Sequence, residues 1–304
     1  MAVDTSLRPV FRDRLVALVP ATKERRDNSL SALQLAPATL FLLTFLVTPL
    51  AVFFVYSFWV TRAYQLVPEW TLAQYRQALS DPVYRDLFRN TMVIAFSSAT
   101  ITVTLAYAFA HAIRFHLRHR QELLLFLVIV ALFSGYLVRI YAWRTILGNQ
   151  GVINQLLIEL GLREEPLGFL LFSRPAAILV LVNFLVPLAV LPIYASLQNV
   201  RDEEVEAARD LGAGAFSAFR KVTLPLAFGG VFVAFAISFI ISAGDYVTPQ
   251  LVGGTSGAMI GRAIASTFGV TFAWPRGAAL AFVTLALVLT ILALVRVVTA
   301  RVIR

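Results

Sequence analysis

The chain has 304 residues, 59% hydrophobic and 14% charged, with a net charge of +9 and no cysteine. An ordinary soluble domain carries roughly 45–50% apolar and about 25% charged residues, so this composition excludes disordered and collagen-like chains and points away from a soluble one. The absence of cysteine excludes disulfides, thiolate metal sites and cysteine nucleophiles, and the basic residues sit in short segments between apolar blocks, which suits membrane topology better than nucleic-acid binding.

Residues 1–33 form a basic tail with Arg8, Arg12, Arg14, Lys23, Arg25 and Arg26. No short apolar stretch with a small-residue cleavage site precedes the first long block, so the first span is expected to direct insertion. A spanning helix needs about 20 apolar residues to cross roughly 30 Å of hydrocarbon. Six segments are expected to do so: about Leu35–Trp59, Thr91–Ala112, Leu123–Leu137, Ala176–Leu197, Leu226–Ala243 and Ala278–Val298. The third is the shortest and has room to extend past Val138. All six are continuously apolar, without the alternation of barrel strands, and hydrocarbon leaves no backbone group free, so they are helices. The expected fold is all-α, a polytopic membrane protein with six transmembrane helices.

Six crossings place both termini on one side, with the loops His111–Glu122 and Gln198–Val222. That side carries about 16 of the Lys and Arg residues and the other about 10, a bias that puts both termini in the cytoplasm. The outer loop from Arg139 to Arg174 should hold a short helix near Ile153–Leu160. Pro49, Pro187, Pro192, Gly229 and Gly230 fall inside spans, either as packing kinks or as bends along a moving pathway.

His111, His116 and His119 share a loop with Arg114, Arg118 and Arg120. Three arginines oppose a bound cation, so the loop reads as a solvated basic turn and no metal site is expected. Arg139 and Arg144 could meet lipid headgroups, contact a partner or cap a span. Gly253-Gly254-Thr255-Ser256-Gly257 lacks the lysine of a phosphate loop and reads as a flexible turn; G-x-x-x-x-G-K-[ST] occurs nowhere in the chain. No zinc-protease, serine-hydrolase or paired-carboxylate pattern stands out either. The chain is therefore expected not to be an enzyme, to have no catalytic residue and to bind no cofactor.

Asp245 stands at the outer end of the fifth span. An acid near membrane depth must face protein or water, which makes it a pathway candidate or an interfacial helix-end acid. In the first role it could pair with a cationic amine while Tyr246 stacks on that cation.

The stretch Asn199–Pro225 reads as helix, turn, helix. Asp202 is a plausible N-cap, with Glu203 and Glu204 in the first turn. Gly212 falls where a glycine ends a helix. Ala215–Val222 presents Phe216 and Phe219 three residues apart. The hairpin either lies on the membrane surface or docks a soluble partner, with Phe216 and Phe219 as anchors.

Glu206-Ala207-Ala208, Gly212 and Val222-x-Leu224-Pro225 resemble the cytoplasmic EAA motif of ABC importer permeases, with Val222 where the family has Ile. Further segments resemble spermidine/putrescine-type permeases: Tyr141–Arg144, Gly151–Asn154, Leu191–Leu197, Gly244–Pro249, Leu251–Gly254, Met259–Gly261, and Trp274-Pro275-x-Gly277-Ala278-Ala279. These cover most of residues 135–280; the first 120 match in span pattern alone. The resemblance implies a type I ABC importer permease fold, residues 34–304, with a cytoplasmic coupling loop about 198–225. It implies that Glu206, Ala207, Ala208 and Gly212 seat in an ATPase subunit. For Phe216 and Phe219 that role is inferred from position. The implied partners are two copies of an ABC ATPase subunit, a second homologous permease and a periplasmic substrate-binding protein, in a lipid membrane and without nucleic acid. ATP and magnesium belong to the ATPase. A polyamine is the expected cargo, with an opine, 4-aminobutyrate or amino-acid-like amine as the alternative. An ATP-independent secondary transporter or channel is the rival of another class, and the inverted repeat typical of such transporters is not evident. A membrane scaffold without a transport role is a second rival.

Overall fold

A computed structural model describes the backbone of residues 20–303 and the side chains of residues 35–301. The chain divides into two units, residues 1–55 and 56–304. The first holds nearly all of helix α1 (Pro20–Tyr56), which runs unbroken through Pro49. The segment Leu35–Tyr56 has a mean hydropathy of 2.4 and is long enough to span a bilayer. Of the basic tail, residues 1–19 lie outside the described residues.

The second unit opens with a small antiparallel hairpin, β1 (Val60–Arg62) and β2 (Gln65–Val67), in which Val60 pairs with Val67. Ala63 and Tyr64 make its turn with φ of 46° and 64°. Helix α2 (Ala73–Ser80) leads to α3 (Pro82–His111). Asp81 starts α3, its Oδ1 accepting the Val83 N–H at 2.8 Å, with Pro82 where a missing N–H costs nothing. A π-helical turn, Ala112–His116, prolongs α3.

The third expected span is not one helix. Helix α4 (Gln121–Leu132) stops, and α5 (Tyr136–Leu147) starts after Gly135 with its own direction. The two legs, Arg118–Leu132 and Tyr136–Glu159, are bent by 88°. Leu132 and Phe133 would continue a helix happily. Ser134 and Gly135 do not favour it, and Tyr136 is held by groups more than 100 residues away. Helix α6 (Val152–Glu159) sits where the short outer helix was expected.

Helix α7 (Arg174–Leu197) starts at Ser173, whose Oγ accepts from the Ala176 N–H at 3.2 Å. Then come α8 (Asp202–Asp210), α9 (Ala215–Ala218), a π-helical turn Phe219–Thr223, and α10 (Leu224–Gly244) with Pro225 in its first turn. A turn Pro249–Gly253, α11 (Ile260–Gly269) and α12 (Trp274–Ile303) complete the chain. The described residues thus give five helices long and apolar enough to cross a membrane, and six crossings when the bent pair is one.

Helices α3, α7 and α10 pack together as the centre. Ala106, Ala110, Ile193, Leu197, Ala227 and Ala234 form one buried cluster between them. Small residues matter here because lipid supplies no hydrophobic drive between helices, so close backbone approach and dispersion must hold them. The closest approach is at Gly230, where an added Cβ would lie 2.2 Å from the Pro192 carbonyl oxygen. Ser196 stitches the same point, its Oγ donating to the Ala227 carbonyl at 3.0 Å and accepting the Gly230 N–H at 3.3 Å. Pro192 and Gly230 therefore serve a helix crossing.

Candidate functional site

At one end of this bundle α8 and α9 form the hairpin between α7 and α10. Acidic Asp202, Glu203 and Glu204 occupy the first turn of α8, where they complement the helix dipole. Asp202 is the first helical residue and not the cap. Its carboxylate is turned away from the helix N–H groups, pairing with Arg114 at 3.0 Å and Arg118 at 3.2 Å. Arg201 precedes the helix, and Glu204 accepts both its backbone N–H at 3.3 Å and its guanidinium at 2.9 Å. Those bonds hold the Glu204 carboxyl below the usual carboxylate range and push the Arg201 guanidinium further up.

Gly212 ends α8 as expected. With φ at +87° it lets its own N–H reach the Arg209 carbonyl at 2.9 Å and the Ala213 N–H reach the Ala208 carbonyl at 3.0 Å. Both bonds together are the glycine-terminated helix stop in full. Glu206, Ala207, Gly212 and Phe216 are exposed and Ala208 is half-buried. Phe216 is 73% and Leu211 90% exposed. A groove of about 410 Å³ runs between Ala208, Leu211, Gly212, Ser217 and Lys221. The exposed face is thus low in relief, flanked by two large apolar side chains and an acid.

Phe219 is placed differently from its expected partner role. It is half-buried, and its ring meets Tyr107 edge-on at 5.7 Å and His111 at 6.4 Å. Its ring is held against α3, while Phe216, 6.2 Å away ring to ring, stays outside. Leu211 went unnoticed in the sequence; an apolar residue directly before a helix-ending glycine was its one signal.

The basic turn is not uniformly solvated. Arg114 is buried, donating to the Val200 carbonyl at 3.1 Å besides its pair with Asp202. His111 and His116 lie with their rings 5.7 Å apart beside a cleft of about 420 Å³ that Glu206 and Arg209 also line. No group of metal-ligating side chains is assembled among the described residues.

At the opposite end Asp245 is buried. Its Oδ2 accepts the Tyr136 hydroxyl at 2.6 Å, its Oδ1 accepts the Val247 N–H at 2.9 Å, and the Thr248 N–H adds a longer bond. Since Tyr136 spends its proton on Asp245, the Thr248 hydroxyl donates to Tyr136, at 2.6 Å. This carboxylate ties the start of α5 to the end of α10. Tyr246 points elsewhere: half exposed, it lines an apolar cavity of about 330 Å³ with Ile240, Gly261, Ile264, Thr284 and Val288. The two pathway candidates therefore do not converge on one pocket. Arg139 lies over the Phe184 ring at 5.8 Å and Arg144 over Phe172 at 5.9 Å.

The glycine-rich loop is held firmly, contrary to a flexible turn. The Asn90 amide donates to the carbonyls of Ser256 and Ala258, and Thr91 Oγ1 accepts the Ile260 N–H at 2.8 Å. Gly254, at φ +59°, packs on the Phe172 backbone with no room for a Cβ.

The family described as binding-protein-dependent transport system inner membrane component matches residues 36–304. The spermidine/putrescine transport system permease protein PotB of Escherichia coli is 32% identical over 226 residues, which are 74% of this chain and 81% of that protein. The protein of the same description from Haemophilus influenzae is 34% identical over 166 residues, 55% of this chain and 57% of its own length. The matched stretch thus spans little more than half of that second relative. Among solved structures, a bacterial ABC transporter involved in the import of the acidic polysaccharide alginate shares the fold, with a TM-score of 0.68 at 17% identity over 93% of this chain and 99% of that one.

Proposed function

This chain belongs to the binding-protein-dependent transport system inner membrane component family, and from that premise we propose that it moves a small cationic amine, a polyamine such as spermidine or putrescine, from periplasm to cytoplasm at the expense of ATP. It is a multi-pass permease subunit of an ABC importer. The polyamine assignment is supported by the relatives that carry spermidine/putrescine in their description. The ATP-driven reading is supported above all by one observation: the exposed face of α8, bounded by Glu206, Leu211, Gly212 and Phe216, at the end of the central bundle.

In this reading both termini lie in the cytoplasm, as does the hairpin. The complex holds two copies of an ATPase subunit, which use ATP and magnesium, and one of them seats against Glu206, Ala207, Ala208 and Gly212, with Phe216 as an aromatic anchor. Phe219 supports that surface from behind. A second homologous permease completes the pathway, and a periplasmic binding protein delivers cargo to the outer loops. Closure of the ATPase pair moves the hairpin and switches access from one side to the other. Tyr246 offers a passing cation an aromatic face in its open cavity, and Asp245 places a negative charge beside it in the chain.

Purification of the intact complex from detergent tests the subunit reading. The ATPase is expected to copurify and to be lost on Glu206→Lys; a wild-type complex without any ATPase would overturn it and favour an ATP-independent transporter. For cargo, a tagged binding protein from the same system is expected to bind spermidine or putrescine; binding an opine or 4-aminobutyrate instead would replace the cargo and leave the subunit assignment standing. Asp245→Asn is expected to lower uptake with the ATPase still bound, and unchanged uptake would remove Asp245 from the path.

A further inference from the structure

We propose that Arg114, Arg118 and Asp202 form a clasp that ties the hairpin to the end of α3, through Arg114 in the π-helical turn that prolongs it and Arg118 in the turn that follows, which makes Asp202 a positioning residue for transport. The proposal rests on the reading of the hairpin as the contact with an ATPase.

Covalent chain connects the hairpin to α7 and α10. It does not connect it to α3, which is reached only through space, across 84 and 86 residues of sequence. Helix α8 is nine residues long and is joined by short linkers, residues 198–201 on one side and 211–214 on the other. A short rod held at its two ends can still pivot about the line between them. A third attachment off that line removes the freedom, and Asp202 supplies it. Its Oδ1 goes to Arg114 and its Oδ2 to Arg118, so two differently placed cations fix the carboxylate plane. Arg114 also holds the Val200 carbonyl, which anchors the linker before the helix.

Two charged side chains are buried among the described residues, Asp245 at one end of the bundle and Arg114 at this one. A guanidinium does not shed its proton to escape burial. Breaking the pair in this state would leave a buried charge uncompensated, although the Asp202 side chain is itself 43% exposed; in the proposal Arg114 keeps its counter-ion through the cycle. The clasp stays shut, and what moves the start of α8 moves the end of α3 with it. Helix α3 in turn shares a buried cluster with α7 and α10, and Val205 of α8 and Phe115 of the π-helical turn pack on that same cluster. Arg118 is 70% exposed in its side chain, so its bond is screened and contributes the smaller part.

The experiment uses the full complex in proteoliposomes with its ATPase and binding protein, and reads uptake per ATP hydrolysed at equal permease content. Asp202→Asn is expected to keep the ATPase bound at wild-type stoichiometry and hydrolysing, while that ratio falls about tenfold for want of the counter-ion. Asp202→Glu should recover most of it. Arg118→Gln leaves no buried charge unpaired and should fold normally, with a fall of roughly twofold to fivefold. An unchanged ratio in Arg118→Gln and Asp202→Asn overturns the clasp; should Asp202→Asn fail to assemble, an unchanged ratio in Arg118→Gln alone does so. Loss of the ATPase in step with loss of uptake also overturns it, because Asp202 would then act in docking. Absence of the ATPase from the wild-type complex sinks the function itself, a different failure.

Discussion

Replacing Gly230 with alanine should separate two central helices, and replacing its neighbour Gly229 should not. A Cβ at Gly230 would stand 2.2 Å from the Pro192 carbonyl oxygen and 2.4 Å from the Ser196 Cβ. Both obstacles lie near or within helix backbone and cannot swing aside. Overpacking of this kind costs about 1–3 kcal/mol, and a backbone obstacle puts it at the upper end. Parting the helices also stretches the two Ser196 bonds, worth about 1 kcal/mol net each. Better helix propensity returns about 1 kcal/mol. The sum is a loss of about 4 kcal/mol, dominated by the clash. At Gly229 nothing stands within 4 Å of an added Cβ, so alanine there should gain about 0.5–1 kcal/mol. Thermal unfolding of the purified protein in detergent, followed by circular dichroism, reads both. At about 2–4 °C per kcal/mol, Gly230→Ala should lose roughly 10 °C and Gly229→Ala should lose nothing. Equal shifts for the two variants would refute the account of this crossing.

Gly212→Ala should weaken the hairpin turn by about 1–2 kcal/mol, the cost of a side chain in the left-handed region, and Gly212→Asn should cost less; copurification of the ATPase and amide exchange across α8 measure it. The Glu204 carboxyl is held below its usual range chiefly by the hydrogen bond from the Arg201 side chain. Its contribution to the start of α8 is therefore present above the ordinary glutamate range and is lost as pH falls through the depressed value. Amide exchange at the start of α8 should speed up in acid, and Glu204→Gln should show the fast rate at every pH.

Much of this fold is legible in the sequence wherever the controlling interaction is local. Long apolar runs mark five helices and Gly212 marks the end of α8, since each rests on neighbours a few residues away. The failures share an opposite cause. Phe133–Val138 is apolar and reads as a continuing span, but Ser134-Gly135 break it and Tyr136 is claimed by Asp245. Asp202 has the right type and place for a cap, yet two arginines from the turns between α3 and α4 take its carboxylate. Phe219 reads as an exposed anchor, but the rings of Tyr107 and His111 on α3 hold it half-buried. The β1–β2 turn had no glycine or asparagine to announce it, because Ala63 and Tyr64 adopt its left-handed conformations. At the hairpin, residue types point correctly to the exposed face, and only long-range contacts show what holds that face in place.

The broken third crossing bears on how the protein is made. Helix α4 has twelve residues, about 18 Å at 1.5 Å per residue, far short of the roughly 30 Å that a free-standing segment must cover. Such a stub cannot partition into lipid by itself on leaving the ribosome. In the folded chain α4 packs against α7, so stable insertion of this stub is expected to follow the synthesis of α7.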